Sequence, residues 1–357
     1  MRVAIDTNAL YTAQAGMARY VRELVQAERN LELVDFELTE IGWPVTNFQY
    51  RQPQRALKTA YRELFWSRFV ALRQIRQARA QVFHTTGMPF ISVPSSIPHV
   101  ATLHDLAVFQ NPERFRRWHR WSAQRYFLSL RQVPHLICIS QFTARQAIEI
   151  LGVSPRRISV VYYGCPFPPE AGVPPEQKPD FAVPEDFFLF VSSLEPGKNV
   201  RLIREAYQLA DARQPPLPPL VLCGSRWQGV PHEGPPPANW IFAGHQTDPT
   251  LVYLYRRARA LLFPSKYEGF GLPVVEALAL GCPVICSPVA SLPEVGGGAA
   301  LYTDMTPPAY LQSMTRLLAE PNLRADLIAK GRAHAATFSW RRCAQETVEV
   351  YREACRR

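Results

Sequence analysis

No apolar run in this 357-residue chain approaches the roughly 18–20 residues of a membrane span, which argues against a helical integral membrane protein. The N-terminus lacks a long apolar stretch and a small-residue cleavage site, so Met1-Arg2-Val3-Ala4-Ile5-Asp6 reads as a first strand and not as a signal peptide. Cysteine is sparse and unpatterned. The seven cysteines form no CxxC pair, and no His cluster has zinc spacing. Cys282 and Cys286 flank Pro283-Val284-Ile285, which looks like buried strand. The cysteines therefore read as reduced core residues of a cytoplasmic protein, not as a disulfide framework. No acidic metal-ligand cluster appears, so no metal is expected. No internal repeat is detectable, and a hydrophobic fraction of 47% excludes disorder.

Acid is what the first half has little of. The chain carries a net +10, and residues 1–165 hold 21 Lys+Arg against 11 Asp+Glu, whereas residues 166–357 hold 19 of each. A one-sided basic surface suits an acidic partner: membrane headgroups, a phosphorylated acceptor or nucleic acid. A solvated face that aids solubility accounts for it equally well. No nucleic-acid-binding motif accompanies the charge, so nucleic acid is not expected as a partner. Two segments concentrate it. Residues 51–79 carry Arg51, Arg55, Lys58, Arg62, Arg68, Arg73, Arg76 and Arg79 against Glu63, interleaved with Tyr61, Phe65, Trp66 and Phe69. Residues 114–131 carry six arginines with Trp118, Trp121, Tyr126 and Phe127. Such helices either lie on an anionic membrane or pack their aromatics inward with the arginines in water.

Length suggests two domains. β-type runs fall near 2–6, 33–39, 81–84, 98–103, 134–139 and 158–162, then near 187–191, 219–223, 240–243, 259–263, 283–286 and 299–301. Amphipathic segments near 18–29, 56–80, 141–151, 200–210 and 273–280 alternate with them, as parallel sheets covered by helices require. Seven prolines within 164–184 mark an inter-domain linker. Further proline-rich stretches at 215–219 and 231–237 read as a helix break and a surface loop. Ser140 and Ser339 are plausible helix caps, the latter ahead of a C-terminal helix. Two doubly wound sheets bind ligands in the turns beyond their strands, which directs attention there.

The most informative turn is Phe263-Pro264-Ser265-Lys266-Tyr267-Glu268-Gly269-Phe270-Gly271-Leu272-Pro273-Val274-Val275-Glu276. A buried strand ends at a loop, Pro273 opens a helix and Gly281 closes it. Gly269 and Gly271 let the backbone approach a ligand, and the N–H groups at the helix start suit phosphate. Glu268 can accept hydrogen bonds from sugar hydroxyls. Glu276 reads either as a site residue or as a first-turn acid favoured by the helix dipole. A second turn, Val191-Ser192-Ser193-Leu194-Glu195-Pro196-Gly197-Lys198-Asn199, follows a strand and precedes a helix, with Asn199 as a possible N-cap. It is no P-loop, because Ser192 and Asn199 stand where that motif needs glycine and Ser/Thr. In the first half, His104-Asp105 ends a strand, and Gly16-Met17-Ala18-Arg19-Tyr20 opens a helix.

The first of these strings resembles the Glu-x7-Glu signature of retaining family-4 glycosyltransferases, with the Glu-Gly-Phe-Gly-Leu-Pro core intact. Gly281-Cys282-Pro283-Val284-Ile285, Ser291-Leu292-Pro293-Glu294-Val295 and Phe338-Ser339-Trp340 are similar to the same family, so the resemblance spans almost the whole chain. It implies a GT-B fold: two Rossmann-like domains facing a central cleft, 1–165 for the acceptor and 176–338 for the nucleotide sugar, joined by 166–175, with helix 339–357 crossing back. It implies that Glu268 contacts the donor sugar and Glu276 the nucleotide ribose, with Gly269, Phe270, Gly271 and Leu272 around them. The second turn resembles the Leu-Glu-Pro-Arg-Lys-Asn motif, whose Arg and Lys hold the donor diphosphate. Lys198 matches, Ser193 and Asn199 flank it, and Gly197 replaces the arginine, a loss that a backbone amide or a nearby arginine could offset. His104 matches the element facing the reacting carbon, with Asp105 able to orient the imidazole. Gly16 matches a glycine-rich loop near the diphosphate, whereas Arg19 and Tyr20 read as structural.

The implied activity is retaining, metal-independent transfer of a sugar from a nucleotide diphosphate, GDP-mannose first, to a glycan or lipid-linked acceptor in surface-polysaccharide synthesis. Catalysis falls to His104, Glu268 and Lys198. No cofactor beyond the donor is implied. The enzyme is expected in the cytoplasm, where its basic first half either docks peripherally on the anionic inner membrane face or is a solvated surface. The rival class is a nucleotide-sugar-binding or regulatory protein on the same scaffold, weakened as a catalyst by Gly197. Turnover separates the two.

Overall fold

The structure, a computed structural model, describes residues 1–12, 16–45, 54–88, 91, 93–112, 117–167, 173–210, 216–226 and 237–356. The chain divides into two compact units, one formed by Met1–Gly164 with Trp340–Arg357 and the other by Cys165–Ser339.

The first unit holds a six-stranded sheet in the order β2-β1-β3-β4-β5-β6, every pairing parallel. The strands are β1 (Arg2–Asp6), β2 (Glu37–Ile41), β3 (Val82–Thr85), β4 (His99–Leu103), β5 (His135–Cys138) and β6 (Ile158–Val160). β3, β4 and β5 are buried along their whole length, as parallel strands covered on both faces must be. The C-terminal helix Trp340–Arg356 belongs to this unit and packs on helix Gly16–Arg29. Tyr351 of that helix donates to Glu28 Oε1 (2.9 Å) and lies 2.7 Å from His84 Nδ1. Burial pushes the Glu28 carboxyl up to about 8 and His84 down to about 3, so at neutral pH both are largely uncharged.

The second unit repeats the plan with β7 (Phe188–Val191), β8 (Leu220–Cys223), β9 (Trp240–Gly244), β10 (Leu261–Phe263), β11 (Val284–Cys286) and β12 (Leu301–Tyr302). Their order is β12-β11-β10-β7-β8-β9, all parallel. This is the dinucleotide-binding order, in which the chain winds outward from β7 in both directions. The topological switch lies between β7 and β10, and Leu261 pairs with Leu189 there. Phe188, Phe190, Leu222, Leu262, Ile285 and Tyr310 fill the core beneath it.

Three expectations shift. The second strand begins at Glu37 and not at 33, because Val34 is 91% exposed and Asp35 turns the chain at φ 67°. The helix expected over 56–80 runs from Gln54 to Gln77, and its middle, Tyr61–Val70, is π-helical. Asn199 is not an extended N-cap: it takes a left-handed conformation (φ 56°, ψ 38°) between the 3-10 turn Pro196–Lys198 and helix Val200–Ala210. Ser140 does cap its helix, accepting from Thr143 N at 3.0 Å. Arg51, the side chains of Arg55 and Trp118, residues 168–172 of the proline-rich linker, Pro215, and the proposed loop 231–237 up to residue 236 lie outside the described residues.

Candidate active site

The switch point selects two loops of the second unit. One follows β7 and contains Ser193, Gly197, Lys198 and Asn199; the other follows β10 and contains Glu268 to Leu272. The loops lie far apart in sequence but emerge from paired strands. They are joined at the backbone, where Lys266 N donates to Gly197 O at 2.8 Å. They are joined again by side chains: Lys198 Nζ lies 2.6 Å from Glu268 Oε1, with 16% of the lysine and 11% of the glutamate side chain exposed. The ammonium also sits 5.9 Å from the centre of the Phe263 ring. Two residues assigned separate tasks on sequence, diphosphate for Lys198 and sugar for Glu268, thus form one largely desolvated ion pair.

Each loop is braced from within. Glu195, itself buried, accepts from Gly197 N at 2.8 Å and closes the 3-10 turn. The amide of residue 197 is thereby committed to Glu195, so a backbone amide that offsets the missing arginine has to come from another position. Ser193 is half-buried at the mouth of β7. In the second loop Ser291 Oγ lies 2.9 Å from Glu268 O and 2.8 Å from Phe270 O, sharing one hydrogen between two carbonyls. Gly271 precedes helix Leu272–Ala279 at φ 104°, a conformation that side chains resist, and a Cβ there would stand 2.8 Å from Leu292. Phe270 is buried against Phe338, their ring centres 5.7 Å apart.

Glu276 sits on helix Leu272–Ala279 with only 5% of its surface exposed. It lies beyond the first turn of that helix, so it is not the first-turn acid favoured by the helix dipole that the sequence also allowed. Tyr255 donates to its Oε2 at 2.9 Å. Burial, then the charge of Glu276, drives the Tyr255 hydroxyl far above its ordinary pKa, so it remains a donor. Tyr255 went unnoticed in the sequence, since nothing local links it to a glutamate 21 residues away.

His104, Asp105 and Gly16 belong to the first unit. Gly16 is half-buried at the start of helix Gly16–Arg29. His104 extends from the end of β4. Its Nε2 lies 2.6 Å from Thr86 O, which fixes the proton on Nε2 and leaves Nδ1 to accept from the Tyr163 hydroxyl. Burial lowers the pKa of His104, keeping it neutral, while the Thr86 contact and the Asp105 charge oppose this. Asp105 does not orient the ring as expected: its Oδ1 accepts from Ala107 N at 2.9 Å, an Asx turn ahead of the next short helix. Orientation falls to Thr86 and Tyr163, which sequence reasoning missed. Tyr20 is structural as expected, buried and stacked on Tyr163 with ring centres 4.8 Å apart.

Among the described residues no group of three or more His, Cys, Asp or Glu is placed to hold a metal ion. No helix among them is long and apolar enough to cross a membrane.

A classical dinucleotide-type sheet with a cation and two carboxyl groups about its switch point defines a candidate site for a nucleotide-bearing substrate. Comparison with known proteins makes this specific. The family model for glycosyl transferases group 1 matches residues 175–334, and that for Glycosyltransferase Family 4 matches residues 15–166. O-antigen chain mannosyltransferase B of Escherichia coli is 33% identical over 276 residues, covering 72% of this chain and 72% of its own. Sucrose-phosphate synthase from Thermosynechococcus elongatus superposes with a TM-score of 0.70 at 17% identity, over 98% of each chain. WaaG, a glycosyltransferase involved in lipopolysaccharide biosynthesis, does so with a TM-score of 0.67 at 16% identity, over 98% of this chain and 99% of its own. The fold is GT-B, and the chain belongs to the family-4 glycosyltransferases.

Proposed function

We propose that this glycosyltransferase moves mannose from GDP-mannose, with retention of anomeric configuration and without a metal ion, to a glycan or lipid-linked acceptor in cell-surface polysaccharide synthesis. The observation that carries the reading is the Lys198–Glu268 pair at the switch point, with Glu276 on the helix behind it. The mannosyl donor and polysaccharide setting are supported by the likeness to an O-antigen chain mannosyltransferase. In this reading the second unit binds the donor and the first the acceptor. Glu276 takes the ribose, Glu268 the sugar and Lys198 the diphosphate. Negative charge grows on the diphosphate as the glycosidic bond breaks. Lys198 and the N-terminus of helix Leu272–Ala279 stabilise it there more than in the ground state. The leaving phosphate oxygen takes the proton of the attacking hydroxyl, while neutral His104 is assigned to the sugar near the reacting carbon, which requires it to exchange its Thr86 or Tyr163 partner for a sugar hydroxyl. The enzyme works in the cytoplasm at an anionic membrane face.

The test is a panel of nucleotide sugars scored by thermal stabilisation and slow hydrolysis, with the anomeric configuration of the transferred sugar read by NMR. GDP-mannose should give the largest shift and an α-linked product. A larger response to a UDP-sugar would overturn the donor, and an inverted product the mechanism. Binding without any turnover would favour the regulatory alternative.

A further inference from the structure

We infer that the C-terminal helix Trp340–Arg356 sets the orientation of His104, with Trp340 as the positioning residue. The inference rests on the sugar-contacting role proposed above for His104 and adds the element that holds the imidazole in place. Nδ1 of that ring accepts from the Tyr163 hydroxyl, so the ring is only as well fixed as Tyr163 is. Tyr163 is buried, and its ring stacks on Tyr20 (centres 4.8 Å apart) and on Trp340 (5.9 Å), each at an interplanar angle of 28°. The Tyr20 and Trp340 rings lie 6.3 Å from each other, so the three close a triangle. Tyr20 in turn meets the His104 ring edge to face, with centres 5.1 Å apart. Gly164, next to Tyr163, lies directly against the start of the helix. A Cβ there would stand 2.2 Å from Trp340 N and 2.4 Å from Cγ of its ring, so backbone contact itself seats the indole beside Tyr163. The Trp340 Nε1–H is buried and makes no hydrogen bond, so the residue acts through its flat ring and not through its polar edge.

A second tie leaves the same helix at Tyr351, about three turns beyond Trp340 and therefore on the same face. The Tyr351 hydroxyl lies 2.7 Å from His84 Nδ1, His84 Nε2 lies 2.7 Å from Thr102 Oγ1, and Thr102 Oγ1 lies 2.9 Å from the Tyr20 hydroxyl. Because Tyr351 donates its one proton to Glu28, it accepts from His84 Nδ1. His84 Nε2 then accepts from Thr102, and Thr102 accepts from Tyr20, so every donor in this buried chain is assigned. The helix thus holds Tyr163 by stacking and Tyr20 by a line of hydrogen bonds. His104 has to give up one of its own partners to meet a sugar hydroxyl. Its contact with Tyr20, secured from the helix, keeps the imidazole in one arrangement while it does so, and a ring free to tilt would meet the sugar less often.

The experiment combines nitrogen NMR of the full chain, labelled on histidine, with the kinetics of GDP-mannose hydrolysis. His104→Asn assigns the signals of His104. The parent should show a single neutral tautomer with the proton on Nε2 and a hydrogen-bonded Nδ1. Trp340→Ala should move the Nδ1 signal toward its position in Tyr163→Phe. Its kcat should fall on the order of tenfold to a hundredfold while KM stays within about twofold. Trp340→Phe, which keeps a flat ring, should hold both near the parent. The double variant Trp340→Ala/Tyr163→Phe should be no slower than the slower single variant, because both act through one hydroxyl. If Trp340→Ala does not fold, Trp340→Leu fills the volume without a stacking ring and serves the same comparison. Unmoved His104 signals, or rate losses that multiply in the double variant, would overturn the inference. Displaced signals with undiminished hydrolysis would uphold the positioning and remove His104 from the proposed chemistry, so the two readings fail separately.

Discussion

Changing Glu268 to Gln keeps the shape of the side chain and removes the counter-charge of Lys198. Removing one partner from a fully buried pair costs about 3–5 kcal/mol, because the other charge stays desolvated. Here the side chains retain 16% and 11% exposure, and the glutamine carbonyl can still accept from the ammonium. Both effects lower the cost to about 1–3 kcal/mol. For a unit of this size each kcal/mol shifts the melting temperature by roughly 2–4 °C, so the loss should be about 2–12 °C. The double variant Lys198→Met/Glu268→Gln should recover part of it, since no orphan charge remains. A nucleoside diphosphate should also stabilise Glu268→Gln more than the parent, because its phosphates replace the missing carboxylate beside Lys198. Transfer should still fall at least a hundredfold if Glu268 holds the sugar. Scanning calorimetry with and without GDP, together with a transfer assay, measures all of this. An unchanged melting temperature and an unchanged response to GDP would refute both the pairing and the diphosphate role of Lys198.

Four other outcomes follow from the same geometry. Tyr255→Phe should weaken nucleotide binding by roughly tenfold through the loss of a hydrogen bond to a charged group, and Glu276→Ala by more; calorimetric affinities equal to the parent's would remove Glu276 from the ribose. Glu28 has a folded pKa of about 8, raised by burial against the Tyr351 hydrogen bond from 4.5, so its contribution to stability is full below pH 4.5 and declines as pH rises toward 8. Glu28→Gln should therefore stabilise the protein more at pH 8 than at pH 5, and equal shifts at both would contradict the burial argument. Turnover should survive EDTA, and a loss restored by manganese would show that a metal takes part. Gly197→Arg should raise donor affinity or turnover about tenfold, since residue 197 lies in a 3-10 turn that needs no left-handed backbone; unchanged kinetics would mean that another group grips the diphosphate.

Features encoded within a few residues were legible before the structure. Leu261-Leu262-Phe263 and Val284-Ile285-Cys286 read as buried strands and are. Pro273 and Gly281 bracket their helix as punctuation suggests. What escaped depends on backbone choices that propensity leaves open, or on contacts between distant segments. Asp35 and Asn199 adopt left-handed conformations that their short polar side chains tolerate but do not announce. Asp105 had two local options, the imidazole before it and the amide two residues after it, and takes the amide.

The larger omission concerns pairing. Strand order is a property of the sheet, and only that order makes β7 and β10 neighbours across 70 residues of sequence, the separation of Lys198 and Glu268. Reading each loop alone gave every charged group its own ligand. Reading them together shows a lysine that already carries a carboxylate and a glycine amide that already serves Glu195. Under the proposed function, a donor diphosphate competes with Glu268 for Lys198. It gains most when charge on the phosphate rises beyond what the carboxylate offers, as happens while the glycosidic bond breaks. On that proposal the ion pair favours the transition state over the bound donor, so disrupting it should damage turnover more than affinity.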